Sequence, residues 1–310
     1  MSAGLDRGHI RRAFGRAAAS YEAHAVLQAE VGTRLRERLD DVTTVPARVL
    51  DVGCGPGGGA AALLARFGDA EVIALDLALP MLEAARGKMG SESISRTAQP
   101  TAPAPQGKWT PTPFSLVCAD AQALPLADAS VDLVHSNLCL QWCEDPGLAL
   151  DEFRRVLRPG GMLLFSTFGP DTLKELRTAF ARVDATPHVS RFIDMHDIGD
   201  ALLTTGFRDP VLEREDFTLT YADARDLMHE LRAIGATNAD AKRQRALTGK
   251  AHLRAVIAAY EVFRRDGVLP ATYEVVYAHA RAPEPGQPRR GGGGDVASFP
   301  IERLRGSRRR

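Results

Sequence analysis

Apolar positions recur at helical spacing from Ile10 to Leu39 (Phe14, Ala17, Tyr21, Val26, Val31, Leu35), which predicts one or two helices before Pro46. The period then changes. Arg48 to Val52 is a short apolar strand that runs into a glycine cluster, Gly53 to Gly59, and Ala60 to Phe67 follows as a small-residue helix. Glu71 to Asp76 is the next strand, and Pro80 to Met89 is a helix with Pro in its first turn. Phe114 to Cys118, Val131 to Ser136 and Gly160 to Thr167 read as further strands, with a helix over Gly147 to Leu157. Strands alternating with helices predict a parallel sheet covered on both faces. Beyond Gly169 the alternation weakens. Helices are expected over Asp171 to Val183 with Asp171 as N-cap, over Asp197 to Thr205 closed by Gly206, over Asp223 to Ile234 and over His252 to Arg265. Strands are expected over Val211 to Tyr221 and Thr272 to Ala278.

Two stretches break the pattern. Gly90 to Pro113 is rich in Ser, Thr, Pro, Gln and Gly, so it reads as a flexible surface insertion at 90–113. The segment 281–310, with Gly291 to Gly294 and a closing Arg308-Arg309-Arg310, reads as a disordered basic tail. The expected organisation is an N-terminal helical segment at 1–45, one α/β domain at 46–280 with a helical lid at 222–268, and the tail.

Composition narrows the class. The 310 residues are 45% hydrophobic, enough for a sizeable core. Lys plus Arg equals Asp plus Glu at 39 each, so no global charge calls for nucleic acid or a membrane. The balance hides an asymmetry: the tail carries eight Arg against three acids. Cys54, Cys118, Cys139 and Cys143 form no metal-binding spacing and read as reduced thiols of a cytoplasmic protein. No secretory signal or membrane-length apolar run is visible, and no metal is expected.

The chemistry should sit beyond the carboxyl ends of the strands, where the order of a parallel sheet reverses. The loop with Gly53, Gly55 and Gly57 lies at such an end, and Asp76, about twenty residues on, can accept both hydroxyls of a ribose. The same glycines satisfy the dinucleotide pattern, so a nicotinamide dehydrogenase is a competing reading. Three features favour S-adenosylmethionine (SAM) instead. Asp51 precedes the loop by two residues, where it would pair with a methionine amino group and repel a pyrophosphate. Asp120 closes the third strand, beside Ala121, facing an adenine amino group. A long helical stretch precedes the first strand.

These residues resemble the class I SAM-dependent methyltransferases: Asp51 to Gly57 is similar to their first motif, Asp76 with Leu77 to their ribose site, and Asp120 to their adenine acid. Ser136-Asn137-Leu138 matches the loop after their fourth strand. The resemblance implies a Rossmann-like fold, a seven-stranded, mostly parallel sheet with a last antiparallel strand near Thr272, and a cofactor site that includes Asn137 and Tyr21. A closer likeness covers Phe14 to Tyr21, Asn137 to Cys143, Pro187 to Phe192, Leu231 to Thr237 and Pro270 to Tyr273. These segments resemble the BioC family, the malonyl-acyl-carrier-protein O-methyltransferases of biotin synthesis.

That resemblance implies methyl transfer from SAM to a malonyl carboxylate on acyl-carrier protein or on coenzyme A, by a monomer. By analogy Arg191 orients the carboxylate, with His188 and Tyr221 as neighbours; the plain alternatives are a surface salt bridge and a structural histidine. Trp142 either covers the cofactor or fills core, and His135 reads as a core residue. The insertion and the tail depart from the family pattern. A related branch, arginine hydroxylases and assembly factors of respiratory complex I, is the alternative; it tends to carry Pro where this chain has Arg191. A hydroxylase needs iron, and no two-histidine, one-carboxylate pattern falls on a clear strand pair. Another small-molecule SAM methyltransferase is the third reading.

Overall fold

The computed structural model describes residues 4–40, 45–89, 94–95, 114–243, 249–284, 289–291 and 294–296. Three helices open the chain: α1 (Arg7–Ala17), α2 (Tyr21–His24) and α3 (Val26–Glu37). Then come β1 (Arg48–Val52), α4 (Gly58–Arg66), β2 (Glu71–Asp76), α5 (Leu79–Met89), β3 (Ile94–Ser95), β4 (Phe114–Cys118), β5 (Val131–Asn137), α6 (Pro146–Val156) and β6 (Leu157–Phe168). The rest is α7 (Lys174–Ala181), α8 (Met195–Thr205), β7 (Arg208–Tyr221), α9 (Ala224–Ala233), α10 (Lys250–Tyr260) and β8 (Leu269–Arg281).

These strands form one sheet in the order β3-β4-β2-β1-β5-β6-β8-β7. It is parallel from β3 through β6. β8 lies antiparallel between β6 and β7, as the resemblance implied. Seven strands are substantial; the eighth, β3, is two residues at the edge and falls inside the expected insertion. The rest of 90–113 lies outside the described residues. In the tail, Arg289–Gly291 pairs antiparallel with Gly294–Val296, and 297–310 lies outside them.

Alternate residues of each strand feed two apolar layers. Val49, Val72, Leu133, Leu164 and Tyr277 pack with α3, α4, α7 and α10 on one face. Leu50, Ile73, Val134, Phe165 and Ala278 pack with α6 and α8 on the other. Helix boundaries follow local chemistry. Asp145 accepts from Gly147 N–H (2.9 Å) ahead of α6, with Pro146 in the first turn. Asp194 caps α8, and Gly206, at φ 91°, ends it.

Asp171 is not the N-cap it was expected to be. α7 begins at Lys174 after Leu173 at φ 55°. The buried Glu274 carboxylate draws in the Asp171 N–H at 2.8 Å, and Leu173 N–H donates to the Thr272 carbonyl. These long-range bonds to β8 hold 169–173 as a turn, so the helix starts later than its periodicity suggests.

Candidate functional site

The sheet order reverses between β1 and β5, and the carboxyl ends of β1, β2, β4 and β5 converge there. A cavity of about 90 Å³ lies at this point. Eight of the ten expected cofactor residues line it: Tyr21, Gly53, Gly55, Asp76, Leu77, Asp120, Ala121 and Asn137. Asp51 and Gly57 do not.

Asp51 is buried beneath the loop. His135 Nδ1–H donates to its Oδ1 at 2.7 Å, while Oδ2 is buried and has no hydrogen-bond partner. That free oxygen faces Gly59, where an added Cβ would stand 3.1 Å away. His135 is thus the structural histidine expected, fully buried, and it serves Asp51. Gly57, at φ 87°, starts α4. Gly53 is a glycine for two reasons: its φ is +72°, and a Cβ would meet the Cys139 side chain at 2.6 Å. Packing against the loop after β5 is enough to set that requirement.

Asp76 is gripped from two sides. Gly55 N–H donates to one carboxylate oxygen at 3.0 Å and Ala78 N–H to the other at 2.8 Å. Burial nevertheless pushes its pKa up to about 6, against the pull of those two bonds. Burial and the Asp76 charge push the Tyr21 hydroxyl the same way, so it stays protonated. Asp120 accepts from Gln122 N–H (2.9 Å), and Arg7 Nε of α1 lies 3.0 Å from its other oxygen. Asn137 is fixed by Gln28 O of α3 (2.9 Å) and Ser166 Oγ (2.8 Å).

Two residues of α1 that the sequence did not mark for the site complete the wall. Ile10 and Phe14 of α1 reach in with Tyr21, and Trp142 stands edge-on to Phe14 at 5.1 Å. Trp142 therefore does line the cavity. α1 is held in place from far along the chain. Ser20 Oγ donates to Ala233 O (2.8 Å), His9 meets Thr237 Oγ1 (2.9 Å), and Arg243 pairs with Asp6 (2.9 Å). Gly235, at φ +79°, packs so closely that a Cβ would lie 3.1 Å from the Phe14 backbone.

A second cavity, about 680 Å³, shares Cys143 with the first. His188 and Arg191 line it, together with Gln141, Thr167 and Arg177. Tyr221 does not join them. Its phenol donates to Glu230 at 3.0 Å, among the aromatic residues of the core. The sequence reading missed Arg177, since nothing in an amphipathic helix marks one Arg as inward.

It also missed a cluster. Asp184, His188 and His252 bring three ligand-capable atoms within 4.8 Å of one another. The two-histidine, one-carboxylate set absent from any strand pair thus exists between a loop and α10. It is only partly satisfied: His188 Nε2 lies 2.9 Å from the Asp184 carboxylate, whereas His252 Nε2, 3.3 Å from it, is buried without a hydrogen bond. Burial would raise the Asp184 carboxyl, but the His188 bond, the Thr186 N–H and the charges of both imidazoles hold it below its usual range. The His188 ring also stacks on Phe180 at 4.0 Å. Among the described residues no helix is long and apolar enough to cross a membrane.

The comparisons agree with this architecture. A family model described as a methyltransferase domain matches residues 50–165. The chain is 50% identical over 280 residues to a malonyl-[acyl-carrier protein] O-methyltransferase of Methylovorus sp., covering 90% of each chain. The proteins of the same name from Laribacter hongkongensis and Xylella fastidiosa are 49% and 48% identical, covering 95% and 98% of this chain and 96% and 97% of theirs. Among solved structures, a putative methyltransferase from Bacillus halodurans superposes with a TM-score of 0.53 at 20% identity, over 81% of this chain and 98% of its own. That likeness is one of fold.

Proposed function

The chain belongs to the malonyl-[acyl-carrier protein] O-methyltransferase family, and from that premise we propose that it esterifies the free carboxylate of a malonyl group on acyl-carrier protein, with SAM as methyl donor. The product enters biotin synthesis, its charge masked for chain elongation. Coenzyme A is the other carrier to be compared. The observation that carries this reading is the pairing of cavities: one ringed by Asp76, Asp120 and Gly55, the other carrying Arg177, His188 and Arg191, with Cys143 common to both.

SAM fits the first site. Asp76 retains lone pairs for two ribose hydroxyls, Asp120 stands where an adenine amine can donate, and the unpaired Asp51 Oδ2 adds negative potential beneath the loop. When bound, SAM supplies a methyl group already activated on a sulfonium. The chain's task is then alignment and exclusion of water. A malonyl carboxylate titrates at about 4, so it arrives ionised and needs no general base. Arg191 and His188 supply charge and donors for it, and no step requires a metal. Phe14, Tyr21 and Trp142 form an aromatic wall of the first cavity. The basic residues Arg225, Arg232, Lys242, Lys250 and Arg254, on and beside α9 and α10, suit an acidic carrier protein.

The alternative, an arginine hydroxylase or complex I assembly factor, is not favoured, since the relatives carry the O-methyltransferase name. The test is methyl transfer from labelled SAM to malonyl-acyl-carrier protein. Label lost on mild base treatment identifies an ester, and absence of transfer by folded enzyme rejects the assignment.

A further inference from the structure

The larger cavity presents two guanidinium groups in unlike settings. Arg191 is exposed, on the loop before α8. Arg177 is half-buried on α7. Its Nη1 donates to Pro170 O at 2.9 Å and its Nη2 to Thr172 O at 2.8 Å, so the head is fixed by main chain just ahead of its own helix. Its Nε is buried and has no hydrogen-bond partner.

The acids nearby are committed elsewhere. Asp171 pairs with Lys174 (3.3 Å) and Arg214 (3.8 Å). Glu175 accepts from Thr272 N–H and hydroxyl, and Glu274 from Asp171 N–H and Arg214. Among the described residues, none forms an ion pair with Arg177. Burial lowers its pKa, and while the Asp171 charge opposes that, the Arg191 charge adds to it. Two cations therefore sense each other across a cavity whose lining acids, Glu144, Asp184 and Asp240, form no ion pair with Arg177, Asp184 being held by His188 and His252. A half-buried charge with an unused donor is costly unless a ligand completes it.

We propose that Arg177 is a substrate-binding and specificity-determining residue: it holds the malonyl carboxylate through the oxygen that is not methylated, with Arg191 closing from the solvent side. The inference rests on the family reading. The other carboxylate oxygen forms the new bond to the methyl carbon as the methyl–sulfur bond breaks, the sulfur keeping the electron pair. The ester is uncharged, so the pairing with Arg177 is lost on turnover and the product is released. An acyl group without a terminal carboxylate gains nothing from Arg177.

The experiment compares wild type with Arg177→Gln and Arg177→Lys; the Lys variant keeps the charge and stem should the Gln variant not fold. KM for malonyl-acyl-carrier protein should rise roughly ten- to hundredfold in the Gln variant and less in the Lys variant. The calorimetric affinity for SAM and the inhibition constant of acetyl-acyl-carrier protein should stay unchanged. Wild-type KM in a folded variant overturns the proposal. So does an equal loss for the acetyl inhibitor, which would mark a structural role. If the wild type itself forms no ester, the premise fails and the inference with it.

Discussion

Asp76 sets folding against binding. In the folded, ligand-free chain its pKa is about 6, whereas in an unfolded chain it would be about 4. The folded state thus binds a proton that the unfolded state has already released, and this group favours folding more as pH falls through that window. Cofactor binding at Asp76, as proposed, would have the opposite sign, because the ionised carboxylate is the stronger acceptor for ribose hydroxyls. Affinity for SAM should be flat above neutrality and fall by about tenfold per pH unit below 6, measured by titration calorimetry. Asp76→Asn removes the charge and keeps an oxygen acceptor for only one of the Gly55 and Ala78 N–H groups, the other meeting the amide NH2. It should weaken SAM binding by tenfold or more, roughly the worth of charge-assisted hydrogen bonds, and lower Tm through the N–H left unpaired. Spacing put Asp76, Asp120 and Gly55 together, and all three line one cavity, because strand ends fix where such residues stand. It did not show that Asp51 lies beneath the loop against His135, or that the Tyr221 phenol meets Glu230, because the direction of a side chain depends on partners that the local pattern does not show.

At the scale of elements, the two periods in the sequence were enough for the sheet and its flanking helices. Gly206 and the residues around Asp194 and Asp223 carry their boundary signals locally. The failures are long-range. β6, β7 and β8 run past their predicted ends because pairing partners extend them, and the start of α7 is decided by Glu274 on β8. The loop after β1 is equally non-local in its demands. Gly53→Ala meets both a left-handed backbone and the Cys139 side chain, and should cost about 2–5 kcal/mol in chemical denaturation. A loss under about 1 kcal/mol would show that the β5 loop yields readily.

At the scale of the molecule, the first cavity holds about 90 Å³. Pockets for ligands of this class run from about 300 Å³ upward, so a cofactor bound here as proposed would extend out of the open side or displace a wall. The wall with fewest ties to the sheet is α1 with Tyr21, and amide exchange in 7–21 should slow when SAM is added. The basic surface of the α9–α10 region should make KM for the carrier protein rise with ionic strength while that for SAM stays constant. Gly235→Ala, which would push on the Phe14 backbone, should weaken SAM binding although Gly235 does not line the cavity. Ser20, His9 and Asp6 all dock on residues between 233 and 243. During synthesis the first helix therefore emerges long before its anchor exists. A nascent chain stalled before residue 230 would already contain the glycine loop, Asp76 and Asp120, yet should be unable to retain cofactor until the later segment clears the ribosome and clamps the beginning of the chain in place.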